Sequence, residues 1–155
     1  MRRMESTRHA AVAQLIALAS SADYRDRAAA GRALAVFADV WQAREPLLAL
    51  VLDTADTFVT RVTAEALLRR QDLAGYTVVA RALTVADDNH ADWIYTAIID
   101  VFVVYGDERD AAVGECEALL DDEDDQVRRG ARLLRRALTA LTPVLLPPRP
   151  AADQP

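Results

Sequence analysis

His90 and Asp92 are side chains of the types that metal sites use, and they stand two residues apart at the start of a helical stretch. Neighbours at that spacing point to different sides of a helix. No third ligand lies in register with them, so the expected role is capping and solvation, and no metal site is predicted. Cys116 is the single thiol. It falls on an apolar stripe with Val113, Leu119 and Leu120 and has no histidine in register, which predicts a core thiol rather than a nucleophile. The run Asp121-Asp122-Glu123-Asp124-Asp125 could hold a cation or a basic partner, but it lacks the spacing of a calcium loop. A solvated turn is the simpler expectation. Pro147-Pro148-Arg149-Pro150 could dock in an aromatic groove, but a plain disordered tail is the expectation. No catalytic residue and no cofactor are predicted.

The elements that carry these residues repeat. Tyr24, Phe58, Trp93 and Val127 follow one another at offsets of 34, 35 and 34 residues, and the small residues Ala28, Val62, Ala97 and Ala131 keep step. Asp53, Asp87 and Asp121 form a second ladder at 34 and 34, each closing an apolar run. A fixed period of this size is the sequence signature of a helical solenoid.

The predicted helices run over about 7–20, 24–40, a short helix after Trp41, 56–70, 74–86, 89–105, 107–120 and 125–141. Counting the truncated leading repeat at 7–20, this gives about eight helices. Asp23 is the expected N-cap of the second. Pro46 is expected in the first turn of the short helix, where its missing N–H costs nothing. Gly106 is expected to stop one helix and Asp107 to cap the next. The β-branched cluster Val59–Thr63 would suit a strand, but the repeat register assigns it to a helix. Residues 1–142 form the predicted repeat domain, and the proline-rich 143–155 a flexible tail.

The composition is 52% hydrophobic but only 6% aromatic, with few glycines, which favours an all-α core of Ala, Leu and Val. The net charge of −6 argues against nonspecific nucleic-acid binding, which needs a basic surface. Every cation is arginine. One cysteine leaves no internal disulfide, so a cytoplasmic location is expected. Arg2, Arg3 and the run Ala10–Ala19 have some features of a secretory leader, but Glu5, His9 and Gln14 interrupt the pattern, and the run suits a capping helix of the stack. No apolar segment reaches the roughly 20 residues that span a bilayer, so no membrane partner is expected.

Asp125, Val127, Arg128, Ala131 and Leu134 resemble the consensus of the HEAT-repeat family, in particular its short bacterial, bilin-lyase-type repeats. Asp23, Arg27, Ala28, Ala29, Ala33 and Leu34 match more loosely. Asp56, Val59, Ala64, Ala66 and Leu67 match without the arginine. In the third repeat Ile94 and Ala97 are in place, but Tyr95 or Thr96 replaces the arginine. The resemblance covers about residues 7–141. It implies a right-handed α–α superhelix whose second helices line a concave binding face.

On that implied face stand Arg44 and Glu45, then Thr77, Arg81 and Thr84, then Arg109 and Glu115. Arg81 and Glu115 are repeat equivalents and are expected in neighbouring rungs. Trp41, in a predicted turn, is the aromatic candidate for the same surface, although folding back onto the core is its expected position. The expected function is a non-catalytic protein–protein interaction or regulatory scaffold, including an inhibitor or immunity-type role. The partner is a protein of unknown identity, and the chain is a monomer or weak homodimer, the latter through an exposed end of the stack. The alternative is a HEAT-like enzyme or enzyme subunit, similar to the bilin lyases or the alkylpurine DNA glycosylases. The acidic balance and the missing histidine cluster weigh against both.

Overall fold

Aspartates begin most of the helices. Asp23, Asp56, Asp72, Asp87 and Asp124 each sit in extended backbone and accept a hydrogen bond from the N–H of Arg25, Phe58, Gly75, His90 and Gln126 respectively. Each bond satisfies one of the orphan donors at a helix N-terminus. The computed structural model describes residues 1–146. Among them are eight helices: α1 Arg2–Ala19, α2 Tyr24–Ala35, α3 Trp41–Val51, α4 Thr57–Arg69, α5 Leu73–Val85, α6 Asp88–Phe102, α7 Gly106–Leu119 and α8 Asp125–Ala140. The chain is all-α, and Val59–Thr63 is helical as the repeat register requires.

The repeat positions form the core. Ala28, Val62, Ala97 and Ala131 are all buried. Tyr24 and Phe58 meet edge to face with ring centroids 6.0 Å apart, so residues one period apart lie side by side. The two arginines of the repeat pattern do the same work. Arg27 Nη1 donates to the carbonyls of Ser21 and Ala22, and Arg128 Nη1 donates to those of Asp122 and Glu123. Each guanidinium therefore ties down the turn five and six residues before it. Arg27 also forms a two-pronged pair with Asp53, both side chains being about nine-tenths shielded.

Helices α2, α4 and α6 pack in succession, and α1, α3 and α5 pack beside them. The order changes after α6. Helix α8 packs most extensively on α5 and then on α7, and touches α6 lightly; α6 and α7 also touch lightly. The cause is local. Gly130 of α8 lies so close to the Ala80 carbonyl of α5 that an added Cβ would fall 1.8 Å from that oxygen. Thr84 Oγ1 joins the same two helices by donating to the Gln126 carbonyl. Helix α5 is consequently buried on most of its circumference, by Tyr76, Val78, Val79, Ala80, Ala82 and Leu83.

Several boundaries differ from expectation. α1 starts at Arg2, α2 ends at Ala35, and α3 begins at Trp41, which places Pro46 in the second turn. There the proline removes the intrahelical N–H that Gln42 C=O would accept, and Gln42 is exposed to solvent. Gly106 opens α7 rather than closing α6, because its N–H donates to Leu145 C=O. Tyr105, not Asp107, is the N-cap residue of α7. The start of the expected tail is held in place. Val144 N–H donates to Val103 C=O, and Leu145 N–H to Val104 C=O; the latter bond and that from Gly106 N–H to Leu145 C=O make an isolated parallel bridge between Tyr105 and Leu145. Pro147-Pro148-Arg149-Pro150 lies outside the described residues.

Candidate partner-binding groove

Trp41, Arg44 and Glu45 start α3, and Thr77 and Arg81 are one turn apart on α5. All five line one groove of about 590 Å³, closed on its far side by Asp122, Asp124 and Val127 from the α7–α8 turn and the start of α8. This juxtaposition depends on α8 lying against α5. Sequence reasoning named the first five residues but missed the contribution of Asp122 and Asp124, because the 34-residue register places α8 on α6.

Arg81 Nη1 donates to Glu45 Oε1 at 2.8 Å, joining α5 to α3. Its Nε is shielded and has no hydrogen-bond partner among the described residues. Trp41 is 73% exposed, which corrects the expectation that it folds onto the core. Standing at the first position of α3, its side chain extends outward, and the Arg44 guanidinium lies 5.8 Å from its ring centroid. Asp39 completes this end and is held by Arg8 at 3.0 Å and Arg70 at 3.6 Å. The lining thus carries four carboxylates, Asp39, Glu45, Asp122 and Asp124, against two guanidinium groups, Arg44 and Arg81.

The acidic run is organised by its own chain. Asp122 accepts from Asp124 N–H, Asp124 caps α8, and Asp125 pairs with Arg128 and Arg129. Among the described residues no cluster of three or more His, Cys, Asp or Glu side chains is arranged to hold a metal ion.

The other three predicted residues are placed elsewhere. Thr84 is spent on the Ala80 and Gln126 carbonyls. Arg109 donates to the Leu138 and Leu141 carbonyls and to Asp110, so it clamps the end of α8. Glu115 is exposed on α7 and is not part of the groove lining. Helix α5, which carries Arg81, packs mainly on α8 and less on α7, which carries Glu115.

The groups with reactive potential are committed to structure. Cys116 is fully buried, and burial pushes its thiol up to about 12. His90 Nε2 donates to the Asp53 carbonyl at 2.8 Å and Nδ1 to the Asp87 carboxylate at 2.7 Å. Both partners only accept, so both ring nitrogens must carry protons. The Asp53 carbonyl is the main reason that the pKa of His90 is raised; burial opposes it, and Asp87 adds to it. His90 thus ties the N-terminus of α6 to the turn after α3, while His9 is exposed on α1.

No family model, no curated protein and no solved structure matches this chain.

Proposed function

We propose that this chain is a short HEAT-like helical-repeat module that binds a protein partner without catalysing a reaction, and that the partner docks in the groove between α3, α5 and the start of α8. The superhelical reading is supported by the succession α2–α4–α6, by the equivalent roles of Arg27 and Arg128, and by the Tyr24–Phe58 contact. The observation that carries the binding site is the exposed Trp41 standing at the mouth of an acid-rich groove that a salt bridge already shapes. An exposed tryptophan is costly surface unless something covers it, and tryptophans are frequent anchors at interfaces. The excess of carboxylates favours a partner segment bearing Arg or Lys, steered by complementary charge. Inert Cys116 and fully engaged His90 support the non-catalytic reading. An inhibitor or immunity-type role is one form that such a module takes.

Affinity capture from source-cell lysate tests the proposal. The parent protein is compared with Trp41→Ala/Asp122→Lys/Asp124→Lys and with Glu115→Arg. A protein retained by the parent and by Glu115→Arg but lost by the triple variant supports the groove. Equal recovery from all three contradicts it.

A further inference from the structure

A second surface, built from other residues, has the charge pattern of a self-complementary interface. Helices α6 and α8 are linked at their C-terminal ends by Val144, whose N–H donates to Val103 C=O just after α6, while Arg109 of α7 donates to the Leu138 and Leu141 carbonyls at the end of α8. Between them runs a groove of about 360 Å³, lined by Tyr95, Ile98 and Ile99 from α6 and by Leu133, Ala137 and Ala140 from α8, with Arg136 at its edge. Ile99 is 46% exposed. Val104 and Leu146, just beyond the end of α6 and along the bridged segment, are exposed as well. The groove lies where the 34-residue register would have placed a helix on α6, and it is open because α8 is drawn onto α5.

The charges beside this groove are segregated. On α6, Asp88 and Asp92 continue the face of Tyr95 and Ile99 at spacings of four, three and four residues. On α8, Arg129, Arg132 and Arg136 flank Leu133 at helical spacing. Asp88, Asp92, Arg132 and Arg136 have no ion pair among the described residues. One wall of the groove is therefore edged with acid and the other with base. We propose that this face pairs with a second copy of the chain about a twofold axis that lies in the interface along the length of the groove. A twofold interface brings each surface onto itself, so that a residue on the first wall meets the second wall of the other copy. That operation sets Asp92 of each copy against Arg132 and Arg136 of the other, and it covers Tyr95 and Ile99 with Leu133 and Ala137. A partner of one charge sign would satisfy only one wall. A second copy satisfies both, and its like-charge edges are kept apart.

Sedimentation equilibrium of the full chain, over a concentration series at low and high salt, reads the outcome. The expected mass rises with concentration from 17.0 kDa towards twice that value, and high salt weakens the association. Ile99→Asp and Asp92→Arg each weaken it at least tenfold. The swap Asp92→Arg with Arg132→Asp and Arg136→Asp restores it, and circular dichroism verifies that each variant keeps its helices. A parent that stays monomeric at all concentrations overturns the proposal, as does a dimer indifferent to both Ile99→Asp and the charge swap. A parent that is monomeric while a 1–146 truncation dimerises also overturns it for the full chain, and makes residues 147–155 the occupant of the groove.

Discussion

Gly130 on α8 and Ala80 on α5 stand in backbone contact, with no room at Gly130 for even a methyl group. This contact draws α8 out of the position that the repeat register assigns and onto α5, and it brings Asp122 and Asp124 to face Trp41 and Arg81. Gly130→Ala must push two helices apart, and because the obstacle is a backbone carbonyl it has little means of yielding. The expected loss is about 3 kcal/mol, the upper end of the cost of overpacking. Gly114, in the middle of α7, has nothing within 4 Å of a built Cβ. Gly114→Ala should stabilise by about 0.5–1 kcal/mol through helix propensity and reduced unfolded-state freedom. Denaturant titration of the two variants beside the parent checks the pair.

The shielded Arg27–Asp53 pair should dominate the polar contribution to stability. Asp53 also accepts from the N–H groups of Ala55 and Asp56. Burial alone would raise its pKa, but Arg27 and the two N–H groups outweigh burial and hold its carboxyl below the usual range. Asp53→Ala leaves Arg27 shielded without its counter-charge and should cost about 3 kcal/mol. Glu65→Ala removes a solvent-facing i,i+4 partner of Arg69 and should cost about 0.3–0.5 kcal/mol. Because the folded pKa of Asp53 is depressed, its contribution is present above the unfolded value near 3.8 and is lost as pH falls through the folded value. The melting-temperature gap between the parent and Asp53→Ala should therefore close in acid.

His90 gives the opposite pH arm. Its folded pKa is raised above the reference value of 6.5, so its stabilisation is full below that value and is lost as pH rises through the folded pKa. Thermal melts of the parent and His90→Ala at pH 5.5 and pH 8.5 should show the larger difference at pH 5.5. A gap that widens with pH would mean that His90 is held as the neutral imidazole.

Ala97 and Ala131 are fully buried at equivalent repeat positions. Ala97→Asp or Ala131→Asp places a carboxylate between packed helices with no partner, a cost of several kcal/mol that should unfold the chain or reduce it to a loosely helical state. Near-ultraviolet circular dichroism reports the lost packing. Parent-like melting of both variants would mean that the alanine ladder does not mark the core.

Much of the architecture was legible because it rests on local chemistry. The aspartate that caps α2, the small residues of the ladder, and the apolar stripes of α4 and α6 are readable from type and spacing, whereas Asp87, read as closing an apolar run, is the N-cap of α6. The site was only partly legible because it rests on contacts between distant segments. Arg44, Glu45, Thr77 and Arg81 were found from their positions on the second helices of the pairs, and Trp41 as the aromatic side chain of an expected turn, which is in fact the first residue of α3. Thr84 and Arg109 have the same sequence character, yet each is consumed by backbone carbonyls of α8 or of the residue that follows it, 29 or more positions away. The glycine at 130 was visible, but its meeting with Ala80 follows from three-dimensional packing that no period predicts. Pro46 and Gly106 misled in the same way. Each has a residue-type preference for a helix end, but α3 begins at Trp41 and so carries Pro46 in its second turn, and Gly106 opens α7 with its N–H on Leu145 C=O.

The central claim is that the Trp41 groove is where a protein partner docks. The most direct measurement replaces Trp41 with a photoreactive phenylalanine derivative and, in a parallel sample, puts the same group at Glu115, then irradiates both in source-cell lysate and identifies the adducts by mass spectrometry. The account predicts a discrete protein adduct from position 41, carrying an Arg- or Lys-bearing segment at the crosslink and suppressed by Asp122→Lys/Asp124→Lys, with no such adduct from position 115. A discrete adduct from position 115 alone, or none from position 41, would contradict it.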